Sequence, residues 1–503
     1  MTNRSKRDLC VGPLLPKMFF YALPVIATGV LQVLYNAADT FVVALSPVGD
    51  TAVAAISSTG SLTALIVNLF IGLCTGVLTV VARHIGAHHH KRVRQSVHTA
   101  MMISLICGVF LMVTGLLLSK PLLLLMGTGE DGSVVLEKAT LYIRIYFLGM
   151  PGFMVYNFGA AILRAAGDTK RPLWFLALSG LANVLLNLLF VLGFKMDVAG
   201  VGIATITAQY ISAVLVVIAL MREKSNIRLE PSHLRIYRKR LSEILRLGIP
   251  SGIQSSLFAF SNVLIQSTIN SFGAAHMAAA GASSQIENIV YTAMAAFYTT
   301  TMAFTSQNFG AQKKRRIRQA NLYGHLLDAT FAIGLAVIIL LFARPLLGLF
   351  LDSEVSIQAA LVRLRIITLT TVLCGAMDVQ SAHLRGLGFS IVPMFTTLAG
   401  ACGLRVLWIT FVLPMFADDA LRWQLLFFCY PITWVITLCA HLIYTRSADR
   451  RVFRLLSDNE TENTATEETA ETEEDPLVMD FDDDSDEDDI VAPAPTFSAN
   501  TDE

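Results

Sequence analysis

The sequence predicts an all-α integral membrane protein. Its twelve transmembrane helices should form two six-helix lobes related by a pseudo-twofold axis along the membrane normal. Three observations predict this. Of 503 residues, 54% are hydrophobic and 15% charged, where a soluble globular protein carries about 25% charged residues. Apolar runs of about 20 residues, enough to cross ~30 Å of hydrocarbon as a helix, recur twelve times. The second six runs also repeat markers of the first six, in the same order.

The first six runs lie near 18–45, 52–82, 97–119, 140–163, 172–194 and 199–221. The second six lie near 248–272, 277–308, 321–343, 364–384, 391–414 and 424–445. The expected organisation is a cytoplasmic N-terminus (1–17), an N-lobe (18–221), a basic cytoplasmic linker (222–247) and a C-lobe (248–445). A cytoplasmic tail (446–503) follows, acidic and disordered from 457.

Charge sets the expected orientation. The net charge is zero, but residues 457–503 hold 19 acids and no Lys or Arg, leaving 38 bases against 19 acids in the rest. With the N-terminus inside, 29 bases fall on inner segments and eight outside, Arg363 among the eight. Bases concentrate on cytoplasmic loops, so both termini should be cytoplasmic, in the plasma (inner) membrane. The body should rest on anionic lipid headgroups.

The repeat is concrete. Ile85-Gly86-Ala87 through Gln95 matches Phe309-Gly310-Ala311 through Gln319 at an offset of 224, and Lys120-Pro121-Leu122-Leu123 matches Arg344-Pro345-Leu346-Leu347. Leu163-Arg164 and Pro172 fall on Leu384-Arg385 and Pro393 at 221, while Pro24 and Asn36 fall on Pro250 and Asn262 at 226. A shift of six spans preserves orientation, which puts the relating axis along the membrane normal.

Several classes are excluded. Seven cysteines, without a CxxC pair, do not make a disulfide scaffold. No GxxxxGK[ST] phosphate loop or soluble nucleotide domain is present, which argues against an ATP-driven pump or other enzyme. His88-His89-His90, with His84 and His98, tempts a metal reading. Contiguous residues rarely meet ligand geometry, and their repeat partners are Gln312, Lys313 and Lys314, so no metal is expected. No cofactor is implied, and nothing points to nucleic acid.

An ionised carboxylate at the bilayer centre costs at least ~2.5 kcal/mol, so acids inside spans need a reason. Asp39 shares a face of span 1 with Gln32 and Asn36, at i, i+4, i+7 spacing. Span 5 offers Asn183 and Asn187, one turn apart, and span 6 offers Thr205. A carboxylate among amides and hydroxyls can bind a proton or small cation; the bland alternative is interhelical glue. In span 7, Gln254, Asn262 and Gln266 share a face; span 8 carries Gln285, Glu287 and Asn288, and span 10 Asp378. Gln32, Asn36 and the span 7 and 8 amides are candidates for lining a substrate cleft, with Met154, Tyr156, Phe158, Tyr291 and Phe297 as apolar wall. Glu287 and Asp378 are second-lobe candidates for ion coupling. Arg405 in span 11 needs a counter-charge, and the reading pairs it with Asp378, as a structural ion pair, or with Glu287. Asp328 is expected to snorkel to the inner interface.

These residues carry a family likeness. Tyr35-Asn36-Ala37-Ala38-Asp39-Thr40 follows Leu23-Pro24, and Leu163-Arg164-Ala165-Ala166-Gly167-Asp168-Thr169 follows span 4. Span 6 opens on Val198-Ala199-Gly200-Val201-Gly202, and Thr305-Ser306-Gln307-Asn308-Phe309-Gly310 closes span 8. Over roughly residues 15–446 the chain resembles the multidrug and toxin extrusion (MATE) family. The resemblance implies a monomeric antiporter, driven by protons or sodium, exporting organic, often cationic, compounds by rocking two lobes. Its span 1 acid falls on Asp39, with Asn183 and Thr205 matching their partners. A second span 5 acid of well-known members is Asn187 here, which favours proton coupling over a two-acid sodium site. The alternative is a flippase for lipid-linked precursors, which would want several buried bases lining its cleft.

Overall fold

In hydrocarbon every peptide N–H and C=O must be satisfied within its own segment, which a helix does. A computed structural model describes residues 8–44, 49–125 and 133–470, apart from the side chains of 36, 40, 43–44, 49–66, 125 and 457–470. Among the described residues there is no strand. The twelve apolar runs appear as α1 (Leu14–Ala44), α2 (Gly49–Gly86), α3 (His90–Leu125), α4 (Val134–Leu148 with Met150–Ala165), α5 (Lys170–Gly193) and α6 (Asp197–Met221). The second six are α7 (Arg238–Asn270), α8 (Ala274–Gly310), α9 (Lys314–Leu341), α10 (Glu354–Gly386), α11 (Ile391–Met415) and α12 (Asp419–Ala470).

Among the described residues, nine helices are long and apolar enough to cross a membrane, and the two halves of α4 make a tenth, bent by 46°. Gly149 sits at the bend and Pro151 lies in the first turn of the second half, where a missing N–H costs nothing. The remaining two, α7 and α8, are diluted by the amides and Glu287 already noted. Two helices leave regular α geometry. α5 ends in a π-helical stretch, Leu188–Gly193, directly after Asn187. α11, its partner in the repeat, has π-helical stretches at Leu398–Gly403 and Trp408–Val412 that flank Arg405.

The chain divides into two compact units, residues 1–442 and 443–503. Within the first, one buried cluster centres on the N-lobe and reaches C-lobe residues such as Phe304, and a second lies in the C-lobe. Ile143, Phe158, Leu163 and Val216 are buried in the N-lobe, and Leu364, Leu426 and Phe427 in the C-lobe. The expected linker is partly structured: α7 already begins at Arg238, and the preceding strip is tied to the start of α3. There Glu230 N–H donates to His98 Nε2 at 3.1 Å, and Thr99 Oγ1 accepts from Tyr237 N–H at 3.1 Å. The second unit continues α12 without a break to Ala470, so the boundary expected at 457 falls inside a helix. Residues 471–503, with most of the acidic tail, lie outside the described residues.

The lobes meet at the end of the bundle that carries the basic loops. Here backbone packs on backbone, which only glycine allows. A Cβ on Gly76 of α2 would stand 2.9 Å from the Gly248 nitrogen of α7, and one on Gly248 would stand 2.8 Å from Leu73 Cα. At the very end, a Cβ on Gly86 would overlap the Gln307 carbonyl, and one on Gly310 the Arg83 carbonyl. The N-terminal strip seals this junction. Leu9 N–H donates to Gln307 Oε1 at 2.9 Å, while Lys313 and Arg316 donate to the carbonyls of Cys10 and Gly12 at 3.0 and 2.9 Å. Gln307 Nε2 in turn donates to Ala165 O at 2.9 Å, joining α8 to the N-lobe.

Candidate functional site

Further from the basic end, Gly29 of α1 touches Thr292 of α8. Beyond that contact the facing helices expose polar side chains: Gln32 on α1, Asn262 and Gln266 on α7, Gln285 and Asn288 on α8. These five amides, carried by helices of both lobes, are all exposed. Gln254 does not belong with them; its Oε1 accepts from Arg385 Nη2 at 2.6 Å. The Asn36 side chain lies outside the described residues. Of the five proposed wall residues, Met154, Tyr156 and Phe158 are buried in the N-lobe core, Phe297 is buried between Ala22 of α1 and Val379 of α10, and only Tyr291 is exposed.

Asp39 lies on α1 in the N-lobe, seven residues along from Gln32. Asn187 Nδ2 donates to its Oδ1 at 2.5 Å, and Thr205 Oγ1 donates to its Oδ2 at 3.3 Å. Asn187 Nδ2 also donates to Asn183 Oδ1 at 3.2 Å. The structure thus brings all four residues together across three helices. Both asparagines are buried, and Asn187 Oδ1 has no hydrogen-bond partner. The π-helical stretch that follows it marks the local departure from α geometry, a feature frequent at functional sites. A carboxylate beside an unpaired amide oxygen is an acceptor-rich cluster, fit for a proton or a small cation. Tyr35, one turn below Asp39, fixes the register by donating to the α5 carbonyls of Leu176 and Ala177.

The second lobe differs from the sequence reading at three acids. Glu287 makes a two-pronged ion pair with Arg363, Nε to Oε1 at 3.0 Å and Nη2 to Oε2 at 2.8 Å. Arg363 had counted among the outside bases because α10 was expected to begin at 364; it begins at Glu354, so Arg363 is buried inside it. Asp378 does not pair with Arg405. Arg405 is 0% exposed, its Nη1 and Nη2 have no hydrogen-bond partner, and its guanidinium lies 5.1 Å from the Phe258 ring centroid and 4.2 Å from that of Tyr430. Aromatic faces take the place of the expected carboxylate. Asp328 does not snorkel either: it is buried, packed against Gly375 of α10.

The histidines that suggested a metal have other partners. His84 Nε2 lies 3.1 Å from Glu243 and 2.8 Å from Arg240 Nη1, and His90 bonds Asn226. Sequence reasoning misplaced Arg363, Asp328 and Gln254, and missed the bonds of Arg385 to Gln254 and Tyr298. A buried arginine placed three turns into a helix had only the length of the preceding loop as its signal.

Among the described residues, membrane-length helices in two lobes that meet at the basic end make the layout of a membrane transporter. The MatE family model matches residues 24–189 and 250–409, and the chain belongs to that family of multidrug efflux transporters. The Probable multidrug resistance protein YoeA of Bacillus subtilis is 27% identical over 397 residues, covering 77% of this chain and 85% of the relative. The FAD transporter of Shewanella oneidensis is 26% identical over 327 residues, covering 64% and 71%. Among solved structures, the outward-facing conformation of a multidrug resistance MATE family transporter superposes with a TM-score of 0.81 at 21% identity. It covers 89% of this chain and 98% of the other.

Proposed function

We propose that this protein exports organic, often cationic, compounds in exchange for a proton, with Asp39 carrying the exchange. The carrying observation is the bonding of Asp39 to Asn187 and Thr205 across three helices of the N-lobe. A ligand shifts an inward–outward equilibrium only by its differential affinity for the two states. Proton and drug competing for one carboxylate is the simplest source of such a difference. Protonation from the open side removes the charge that holds a cationic drug. The drug leaves, and the neutral carboxyl group lets the lobes rock back. By the positive-inside rule, the basic end faces the cytoplasm in this reading, with both termini on the cytoplasmic side of the plasma membrane. The protein works as a monomer. Sodium remains the competing coupling ion, because the unpaired Asn187 oxygen beside Asp39 could serve as a second hard ligand.

The test is uptake of a fluorescent cationic dye into inside-out vesicles under separately imposed proton and sodium gradients, for the wild type and Asp39→Asn. Uptake driven by the proton gradient and lost in the variant supports the reading. Uptake driven by sodium alone assigns the other ion. Dye movement indifferent to both gradients, or unchanged in the variant at equal membrane expression, overturns it.

A further inference from the structure

The two lobes are built on one plan, but the charge held against the equivalent helix pair, α5–α6 in one lobe and α11–α12 in the other, has opposite sign. In the N-lobe the charge is the Asp39 carboxylate, bonded to Asn187 on α5 and Thr205 on α6. In the C-lobe, α11 and α12 take the places of α5 and α6, and the charge is the Arg405 guanidinium. It sits between the two π-helical stretches of α11. Its Nε donates to Thr433 Oγ1 of α12 at 3.5 Å. The offset of 221 that aligns Arg164 and Pro172 with Arg385 and Pro393 carries Asn183 onto Leu404, the neighbour of Arg405.

No acid pairs with this arginine, and its two terminal nitrogens donate to nothing. A further unused donor lies nearby in the chain: Trp434 Nε1, one turn from Tyr430 on α12, is buried without a partner. Trp434 and Tyr430 pack edge to face, ring centroids 5.6 Å apart. A fixed positive charge in a low-dielectric interior requires compensation. Aromatic faces supply part of it, but they leave the in-plane N–H groups of the guanidinium unsatisfied. The geometry points to a bound anion: we propose that Arg405 is the core of an anion site in the C-lobe, filled by a carboxylate or a halide. A carboxylate would come from an amphipathic substrate whose aromatic part stacks on Phe258 and Tyr430. A halide would be a resident counter-ion.

The experiment is chloride NMR on the full chain in nanodiscs, with benzoate as competitor. The variants are Arg405→Gln and Arg405→Met, the latter because a buried charge replaced by an apolar chain of similar volume usually folds. A chloride line broadened by the wild type and not by either variant supports the site. Displacement by benzoate then identifies an organic carboxylate as a ligand, and chloride that benzoate leaves in place identifies an inorganic ion. A wild-type protein that broadens neither the chloride line nor the benzoate resonances, or variants that broaden them equally, would overturn it.

Discussion

Glu287→Gln tests whether the acid of α8 holds the C-lobe together or moves ions through it. Arg363 is 6% exposed and meets Glu287 through two parallel bonds of 3.0 and 2.8 Å, with Phe427 at 5.2 Å from the guanidinium carbon. Glutamine keeps one acceptor and removes the charge, so Arg363 is left buried without its counter-ion. Breaking a buried pair from one side costs about 3–5 kcal/mol. Replacing both partners, Glu287→Gln with Arg363→Met, removes the stranded charge and should recover most of that loss, since apolar replacements of buried pairs are often neutral. The assay is thermal unfolding in detergent, followed by tryptophan fluorescence, with dye transport measured in parallel. A single variant of normal stability that no longer transports would refute the structural assignment and return Glu287 to the coupling candidates.

The junction at the basic end supplies two further predictions. Burial pushes the Cys10 thiol up to about 12. At neutral pH it therefore stays protonated and reacts slowly with maleimide, and labelling should accelerate only as pH rises towards that value; fast labelling of a Cys10-only variant at neutral pH would contradict this closed state. Gly86→Val adds a Cβ that overlaps the Gln307 carbonyl, so the lobes should separate at the basic end. The check is Cys10 labelling again, expected to rise at least about tenfold, the effect of ~1.4 kcal/mol on a population ratio.

The fold was legible because its signals are long and redundant. Twenty-residue apolar runs, basic loops and a repeat each constrain the same topology, and none depends on a single residue. The Asp39 cluster was legible for a different reason: Gln32, Asn36 and Asp39 lie on one helical face, and a polar face inside hydrocarbon needs partners. The second lobe was not legible. Pairing Arg405 with Asp378 assumed that a charge is neutralised by a charge, whereas Phe258 and Tyr430 approach it instead. Aromatic residues are too common in membrane spans to announce such a role. Arg363 was misplaced because α10 extends ten residues beyond its apolar run, and hydropathy marks the oily part of a helix, not its ends. The cleft amides divided likewise. Gln254 shares the spacing of Asn262 and Gln266, but it lies lower on α7, where Arg385 takes it.

The glycine contacts at the basic end are reciprocal. Gly86 meets Gln307, and Gly310 meets Arg83; at the offset of 224, Gly86 is the image of Gly310 and Arg83 the image of Gln307. Residue i touches j while the image of i touches the image of j, which is the isologous rule of a twofold dimer. One continuous chain therefore closes on itself as two identical subunits would. A substitution on one side of such an axis is only half of a symmetric change. Gly86→Val and Gly310→Val should each open one of two equivalent contacts, and their joint effect measures how far the halves still behave as copies.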